Sequence, residues 1–323
     1  MVERLEPQKL TIVYNEAAGK TRGILRDCHH ERRVESFAKR VQGYGWWVDT
    51  YRTKGPGDAT DFAASSGENG IDDLVGWGGD GVRNEIGRGI LSKKSNSEVA
   101  LTGFPKGTVN VLPKEFGIPN DPIRAADALV HGMVRRMDVG MISDGISYRR
   151  PFLLMAGVGI DGEVMGRVQK PGEAKTRKGK WPYFEELVKI SPFFRGVSGE
   201  YTIDGVKRAI KFIQVWFQNT QNLGGYGTIR EDGRSNDKEG EISFFEGETI
   251  LNGVRILAAL YTPWGISQRF QGQDFWLDLE RPVAAEIDGE PLERSKHFEM
   301  EVVPAAINVL TPDEKIVLFE AAV

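Results

Sequence analysis

The first 135 or so residues alternate between short apolar runs and segments in which apolar residues recur every three or four positions. The run at 9–15 predicts a buried strand, and the segment up to Gly43 predicts a helix, because its apolar residues share one helical face. The alternation continues with predicted strands at 46–51, 73–77 and 98–104 and predicted helices at 58–66 and about 82–91. This order is typical of a mostly parallel sheet covered by helices on both faces.

After Met137 the pattern changes to short β-rich runs separated by turn residues. These runs lie at 148–158, 199–203, 209–217, 241–245, 254–261, 275–279, 283–287 and 298–303, and one helix is predicted at about 180–190. Many short strands favour an antiparallel sandwich or barrel-like domain. The predicted fold class is therefore α/β plus all-β, with a doubly wound N-terminal domain over 1–137 and an antiparallel β-sandwich domain over 138–303. Two more apolar runs follow, at 304–310 and 316–319.

Composition narrows the function classes. The 323 residues are enough for two domains, and the net charge of −4 offers no field for a polyanion, so nucleic-acid binding is not expected. The single cysteine, Cys28, cannot form an internal disulfide, and the longest apolar stretch, at 151–160, is too short to span a bilayer. We therefore expect a cytoplasmic protein. The adjacent His29 and His30 point to different faces of a helix, so no histidine metal site is expected.

A glycine-rich loop stands where a predicted strand ends and a helix begins. It reads Gly76-Trp77-Gly78-Gly79-Asp80-Gly81. Glycines allow a ligand to approach the backbone, and the following helix presents free N–H groups to an anion, so the loop could hold a phosphate. Asp80 would repel a bare phosphate, which implies either a bridging cation such as Mg²⁺ or a proton-accepting role. A tight turn without a ligand is the alternative.

A second loop, 102–110, also follows a predicted strand. In a doubly wound sheet both loops fall at the carboxyl ends of strands, where ligands bind. Lys106 can meet phosphate charge, and Thr108 and Asn110 can form hydrogen bonds. Thr108 could equally cap a helix.

Six segments follow one another in an order that resembles the diacylglycerol kinase catalytic-domain family. They are Val13-Tyr14-Asn15 through Gly19, Gly78-Gly79-Asp80-Gly81 with Asn84-Glu85, Pro105-Lys106-Gly107-Thr108-Val109-Asn110, Asp138-Val139-Gly140, Gly159-Ile160-Asp161 and Ile287-Asp288-Gly289-Glu290. The family includes bacterial lipid kinases and sphingosine kinases and is related in fold to the NAD kinases. The chain departs from the family pattern at Glu16, Val82, Arg83, Val109 and Val111, where the family commonly has proline, threonine, an apolar residue, glycine and aspartate.

The resemblance implies an ATP-dependent kinase that phosphorylates a hydroxyl of a lipid or lipid-like small molecule of the diacylglycerol or sphingoid type. The residues that it places around the nucleotide are Asn15, Gly78, Gly79, Asp80, Gly81, Asn84, Glu85, Pro105, Lys106, Gly107, Thr108 and Asn110. It also implies Asp80 as the residue close to Mg²⁺. The tail, 304–323, would complete the first domain, and the active site would lie in the cleft between the domains.

The same resemblance assigns the acceptor side to residues of the second domain. Asp288 would accept the proton of the substrate hydroxyl, with Glu290 holding it or Mg²⁺, although Asp80 could be the base instead. Asp161 would hold the acceptor head group. Taken alone, Asp288-Gly289 reads as a hairpin turn and Asp161 reads equally well as a helix N-cap.

A lipid substrate would require contact with a membrane surface. Five basic residues lie between positions 170 and 180, and Trp181, Tyr183 and Phe184 follow them, a composition suited to an anionic surface. The alternative is a solvated loop that leads into a helix with core aromatics. An NAD kinase and a non-catalytic nucleotide- or lipid-binding relative stay open as other functions. A homodimer also stays open, as does the identity of the alcohol.

Overall fold

The computed structural model describes residues 2–3, 6–15, 24–107, 110–169, 181–203, 205–221, 234–248 and 266–312. The chain divides into two compact units. The first unit comprises the residues up to Met137 together with the described residues from Ala305 onward, and the second unit comprises Asp138–Pro304.

The first unit is built on a parallel sheet. Its elements are β1 (Val2–Glu3), β2 (Lys9–Tyr14), α1 (Ile24–Gln42), β3 (Trp47–Arg52), α2 (Asp58–Ala64), β4 (Asp73–Gly78), α3 (Asp80–Leu91), a 3₁₀ turn at Lys94–Asn96, β5 (Ala100–Pro105), α4 (Val111–Glu115), α5 (Pro122–Val130) and the start of β6 (Met133–Ser143). The parallel strands follow the order β3, β2, β4, β5. The end of the last strand of the chain, β14 (Glu290–Thr311), also runs parallel to β5.

The central strands of this sheet are buried on both faces. Every residue of β4 is buried, as expected for a continuous apolar run in a parallel sheet. The Trp77 ring stacks on the Phe104 ring of β5, with 3.8 Å between the ring centroids, and Phe37 of α1 meets Trp77 edge-on. The alternating strands and helices predicted for this region agree with the observed elements to within about two residues.

The second unit is antiparallel. Its elements are the rest of β6, β7 (Arg149–Phe152), β8 (Met155–Gly159), α6 (Ile160–Val168), α7 (Trp181–Ile190), β9 (Val197–Ile203), β10 (Val206–Gln218), β11 (Gly240–Glu246), β12 (Gln268–Gly272), β13 (Asp274–Ile287) and β14 up to Pro304. Strand β10 pairs with β9 over its first half and with β8 over its second half, and β13 does the same.

The long strands of the second unit change partners at irregularities in register. These irregularities lie between Phe212 and Gln214 in β10 and between Asp278 and Ala285 in β13. In orthogonally packed sandwiches, strands pass from one sheet to the other at such bulges and bends. The core between the paired strands is apolar and contains Phe212, Phe217 and further aromatic side chains.

The sequence patterns misplaced several elements of the second unit. The run 148–158 forms two strands, because the chain breaks at Leu153 and Leu154, whereas the runs 275–279 and 283–287 belong to the single strand β13. Helix α6 of this unit, like α5 of the first unit, was not expected from the sequence. The predicted strand at 254–261 and the apolar run at 316–319 lie outside the described residues.

Two glycines in the first unit make room for a buried arginine. Gly76 of β4 lies opposite Gly103 of β5, and the side chain of Arg83 from α3 crosses this point of the sheet. A Cβ atom on Gly76 would lie 2.6 Å from Arg83 Cγ, and one on Gly103 would lie 2.5 Å from Arg83 Cδ. A glycine inside a strand is typical of such close approaches.

The replacement Gly103→Ala should therefore destabilise the protein. The new methyl group would overlap the Arg83 stem and would also approach Pro113 Cγ to 3.3 Å. Overpacking of this kind costs about 1–3 kcal/mol of unfolding free energy, which urea denaturation measures. Gly81→Ala is the control, because its Cβ would meet no atom within 4 Å. Equal stability of the two variants would contradict this account of the two glycines.

Candidate functional site

Three parallel strands of the first unit end at the same edge of the sheet. Asn15 directly follows β2, Gly79 follows β4, and Lys106 follows β5. The registers pair Tyr14 with Trp77 and Gly78 with Pro105, so the three strand ends lie side by side. The carboxyl edge of a parallel sheet is where α/β proteins bind ligands.

The two glycine loops are in direct contact at this edge. A Cβ atom on Gly107 would lie 2.5 Å from the Cα of Gly79, so a side chain at position 107 would collide with the first loop. Gly79 precedes α3 in an extended conformation, and no side chain in the described part of the chain caps that helix. The first N–H groups of α3 therefore lie beside two backbone segments without side chains, an arrangement suited to an anion.

Asn110 shapes the second loop. Its Oδ1 accepts a hydrogen bond from Gly107 N at 2.5 Å, and its Nδ2 donates to Gly107 O at 2.6 Å. Its φ of 55° lies in the left-handed region, which asparagine tolerates better than most residues. The side chain predicted to contact a nucleotide thus folds the loop that precedes α4. Thr108, predicted to contact a phosphate or cap a helix, lies outside the described residues.

Asp80 joins the two loops and is paired with a buried guanidinium. Its Oδ1 accepts from Arg83 Nη2 at 2.8 Å and from Val111 N, the first residue of α4, at 3.0 Å. A second nitrogen of the guanidinium head, Nη1, donates to Gly78 O at 3.0 Å and lies 3.3 Å from Gly76 O. The third nitrogen, Nε, is buried and has no hydrogen-bond partner among the described residues. Asp80 therefore balances the charge of Arg83 and also accepts a hydrogen bond from the backbone that follows the second loop.

Two motif residues on α3 face other parts of the protein. Asn84 is buried, and neither polar atom of its side chain has a hydrogen-bond partner among the described residues. The Glu85 carboxylate accepts from Ala59 N at 3.3 Å, near the start of α2. The nucleotide contact of Asn84 stays a prediction, and its side chain lies inside the unit. Gly81, by contrast, is exposed in the first turn of α3.

In the second unit, Asp288 stands in the tight turn between β13 and β14. Ile287 pairs with Glu290, and the two turn residues, Asp288 and Gly289, have φ of 49° and 84°. Two-residue hairpin turns need such positive φ values. The hairpin expected from Asp288-Gly289 alone is therefore present, with Glu290 as the first residue of β14.

The Asp288 carboxylate also accepts three main-chain hydrogen bonds from the break between β7 and β8. Leu153 N donates to Oδ2 at 2.8 Å, and Leu154 N and Met155 N donate to Oδ1 at 2.9 and 3.0 Å. Burial raises the pKa of Asp288 and the three donors oppose that change, with a resulting pKa of about 6. A simple turn residue does not need this set of donors.

A buried glutamate that the sequence patterns did not indicate supports this turn. Glu286 Oε2 accepts from Gly289 N at 2.7 Å. Burial, and next the nearby charge of Asp161, raise the pKa of Glu286 well above its usual range. Its place on β13, two residues before the Asp-Gly pair, was the one signal in the sequence.

Asp161 lies in the first turn of α6 with both carboxylate oxygens occupied. Tyr183 OH donates to Oδ1 at 2.6 Å and Trp216 Nε1 donates to Oδ2 at 3.1 Å, and the residue is 7 % exposed. Burial raises the pKa of Asp161. Gly159, not Asp161, is the N-cap of α6, so the alternative prediction of an N-cap was wrong. The head-group contact predicted for Asp161 stays a prediction, and it would use lone-pair positions that these two donors leave open.

A family model and the relatives found by sequence comparison all point to diacylglycerol kinases. Residues 9–142 match the family model for the diacylglycerol kinase catalytic domain, so the resemblance predicted from the motifs is confirmed. The diacylglycerol kinase of Bacillus subtilis (strain 168) is 24 % identical over 250 residues, which are 77 % of this chain and 77 % of that protein. That of Staphylococcus saprophyticus is 25 % identical over 230 residues, 71 % of this chain and 70 % of the relative.

A solved structure shares the fold. A diacylglycerol kinase from Bacillus anthracis str. Sterne superposes with a TM-score of 0.66 at 16 % identity, covering 95 % of this chain and 98 % of that one. Mixed α/β structure with many antiparallel strands is therefore confirmed.

The donors around Asp288 lead to a stability prediction. In Asp288→Asn the amide NH₂ must face at least one backbone N–H, because donors occupy both oxygens. A buried donor left unsatisfied costs about 1–3 kcal/mol, so the unfolding midpoint in urea should fall clearly. The matched control is Asp121→Asn at the N-cap of α5, where both backbone donors share Oδ1 and asparagine caps a helix as well as aspartate does. Equal losses in the two variants would contradict the prediction.

Proposed function

We propose that this chain, whose residues 9–142 belong to the diacylglycerol kinase catalytic-domain family, is an ATP-dependent kinase that phosphorylates a hydroxyl of a lipid or lipid-like molecule. The observation that carries the proposal is the contact of two glycine loops, at Gly79 and Gly107, beside the uncapped start of α3. Phosphoryl transfer needs a backbone cradle of this kind to hold and orient the triphosphate. That both units serve one active site stays a prediction of the family resemblance.

The described residues form no protein cage for Mg²⁺ around Asp80. Its Oδ1 already accepts two hydrogen bonds, and the Arg83 guanidinium balances its charge. Among the described residues no group of three or more His, Cys, Asp or Glu side chains could hold a metal ion. We therefore derive no step through a metal on Asp80.

Asp288 is the proposed general base. A carboxylate offers about four lone-pair positions, and three backbone donors occupy three of them, which leaves one for a substrate hydroxyl. A base is most effective when its pKa lies near the working pH, and the pKa of about 6 for Asp288 supports this role. Asp80, the alternative base, is engaged by Arg83 and Val111 instead.

The acceptor can be identified directly. Purified protein is incubated with ATP, Mg²⁺ and a pool of diacylglycerols, sphingoid bases, NAD and polar alcohols, and new phosphate esters are read by mass spectrometry. A phosphorylated lipid supports the proposal. Phosphorylation of NAD alone would replace it with the NAD kinase alternative, and ATP binding without any product would indicate a non-catalytic relative.

The pH dependence of turnover tests Asp288. The base works only when ionised, so kcat/KM for a non-titrating lipid acceptor should be level above pH 6 and fall about tenfold per pH unit below it. In Asp288→Asn the rate should drop roughly 10²- to 10⁴-fold and this acidic limb should vanish.

The Asp121→Asn control should keep both the rate and the acidic limb, because Asp121 caps a helix of the first unit. An unchanged acidic limb in Asp288→Asn would remove Asp288 from the role of base and assign the limb to another group. ATP affinity measured on the same preparation should stay nearly unchanged, since Asp288 is proposed to contact the acceptor.

We also propose that α7 contacts a lipid surface. Trp181 and Phe184 are 61 % and 40 % exposed, Val188 lies one turn further on the same face, and Phe193, just beyond the helix, is 80 % exposed. The alternative prediction of core aromatics was wrong for Trp181 and Phe184. The Tyr183 hydroxyl, in contrast, donates a hydrogen bond to Asp161. Exposed aromatics next to a basic run are typical of membrane-surface helices. Among the described residues, no helix is long and apolar enough to cross a bilayer.

Vesicle binding tests the exposed face of α7. The double variant Trp181→Ser/Phe184→Ser should lower partitioning onto vesicles of mixed phosphatidylserine and phosphatidylcholine about tenfold or more. The reason is that the variant lacks the two aromatic side chains whose transfer from water to the lipid surface would stabilise the bound state. Ile146→Ser removes an apolar side chain that is 94 % exposed elsewhere in the same unit and serves as the control. Equal partitioning of the two variants would overturn the assignment of α7.

A further inference from the structure

Arg83 is a charged residue in a place where the resembling family commonly has an apolar one. The side chain is 1 % exposed, so its charge has left water almost completely. Burial lowers the pKa of Arg83, and Asp80 opposes that change. A buried arginine stays stable only when its donors and its charge are both satisfied.

The surroundings of Arg83 satisfy most of these needs. Its alkyl stem lies against the two strand glycines, Gly76 and Gly103. Its Nη1 donates to Gly78 O and lies 3.4 Å from Phe104 O, carbonyls at the ends of the two strands that carry the glycine loops. The guanidinium of Arg83 therefore contacts backbone carbonyls at the carboxyl ends of both β4 and β5.

Among the residues that the structure describes, Asp80 supplies the counter-charge. The Oδ1 atom that meets Arg83 also holds Val111 N, so the ion pair reaches the helix after the second loop. An aspartate at a phosphate loop would ordinarily repel the phosphate or require a metal ion beside it. Here the positive charge lies on the protein side of the carboxylate.

We infer that Arg83 is a positioning residue for the triphosphate: it neutralises and fixes Asp80 from inside the protein, so that the two glycine loops accept phosphate without a metal ion on Asp80. This inference rests on the proposed function. It assigns a role to a departure from the family pattern, and it accounts for the glycines at two strand-interior positions.

A cycle of three variants tests the charge balance. Arg83→Met keeps an unbranched stem in the glycine slot and leaves Asp80 uncompensated. Asp80→Asn does the reverse, and the double variant Arg83→Met/Asp80→Asn removes both charges. Affinities for ATP and for adenosine are measured in the presence of a chelator, so that no divalent ion can supply the missing charge, and thermal unfolding reports folding.

Arg83→Met should weaken metal-free ATP binding about tenfold or more while adenosine changes no more than about twofold, because adenosine carries no phosphate. The double variant should return to within about threefold of the wild type. If Arg83→Met fails to fold, the test passes to the other two variants, where Asp80→Asn should bind ATP about tenfold more tightly than the double variant.

The outcomes separate the two proposals. Wild-type protein that binds ATP neither with Mg²⁺ nor with the chelator would overturn the proposed function and this inference with it, whereas ATP binding that requires Mg²⁺ would overturn this inference alone. Wild-type protein that binds metal-free ATP and adenosine, combined with equal losses for the two ligands in Arg83→Met, would overturn the role of Arg83 alone and leave it a packing residue. Failure of the double variant to recover ATP affinity would do the same.

Discussion

The ion pair of Arg83 and Asp80 constrains the residues and loops around it in the first unit. A guanidinium removed from water needs a slot for its stem, acceptors for its donors and one negative charge, and removing the partner of such a buried pair costs about 3–5 kcal/mol. The slot requires glycine at positions 76 and 103, and the acceptors are backbone carbonyls. The identities of three residues, Gly76, Gly103 and Asp80, and the positions of two loops therefore depend on one charge.

In the second unit, the charge of the turn residue Asp288 is stabilised in a different way. Among the described residues, no lysine or arginine side chain forms a hydrogen bond with Asp288. Three backbone N–H groups stabilise the charge of its carboxylate, and burial destabilises that charge. Burial outweighs the three donors, so the Asp288 carboxyl can exchange a proton near neutral pH. This balance fits the proton-transfer role proposed for Asp288.

Sequence patterns were sufficient where the signal is local. The apolar runs of β2 and β4 and the helical period of α1 predicted these elements, and parallel topology predicted that their loops would meet. The orientation of Arg83 could not be predicted, because its slot depends on Gly103, on a different strand. The break at Leu153 was missed for a similar reason: the apolar run continues, and the donors turn toward Asp288, more than a hundred residues away.

Polar motif residues were also hard to place, because a motif does not reveal which side chains are buried. Asp161 was expected to meet a ligand, yet its partners Tyr183 and Trp216 come from distant elements. At position 82, by contrast, the departure from the family pattern acts locally, within the first loop. A Cβ on Gly78 would lie 3.1 Å from Val82 Cγ2, so the valine packs against the loop backbone where the family commonly has a hydroxyl. With that hydroxyl absent and Arg83 next to it, the first loop is ordered by packing and an internal charge, and its backbone N–H groups are left as the donors that a phosphate would meet.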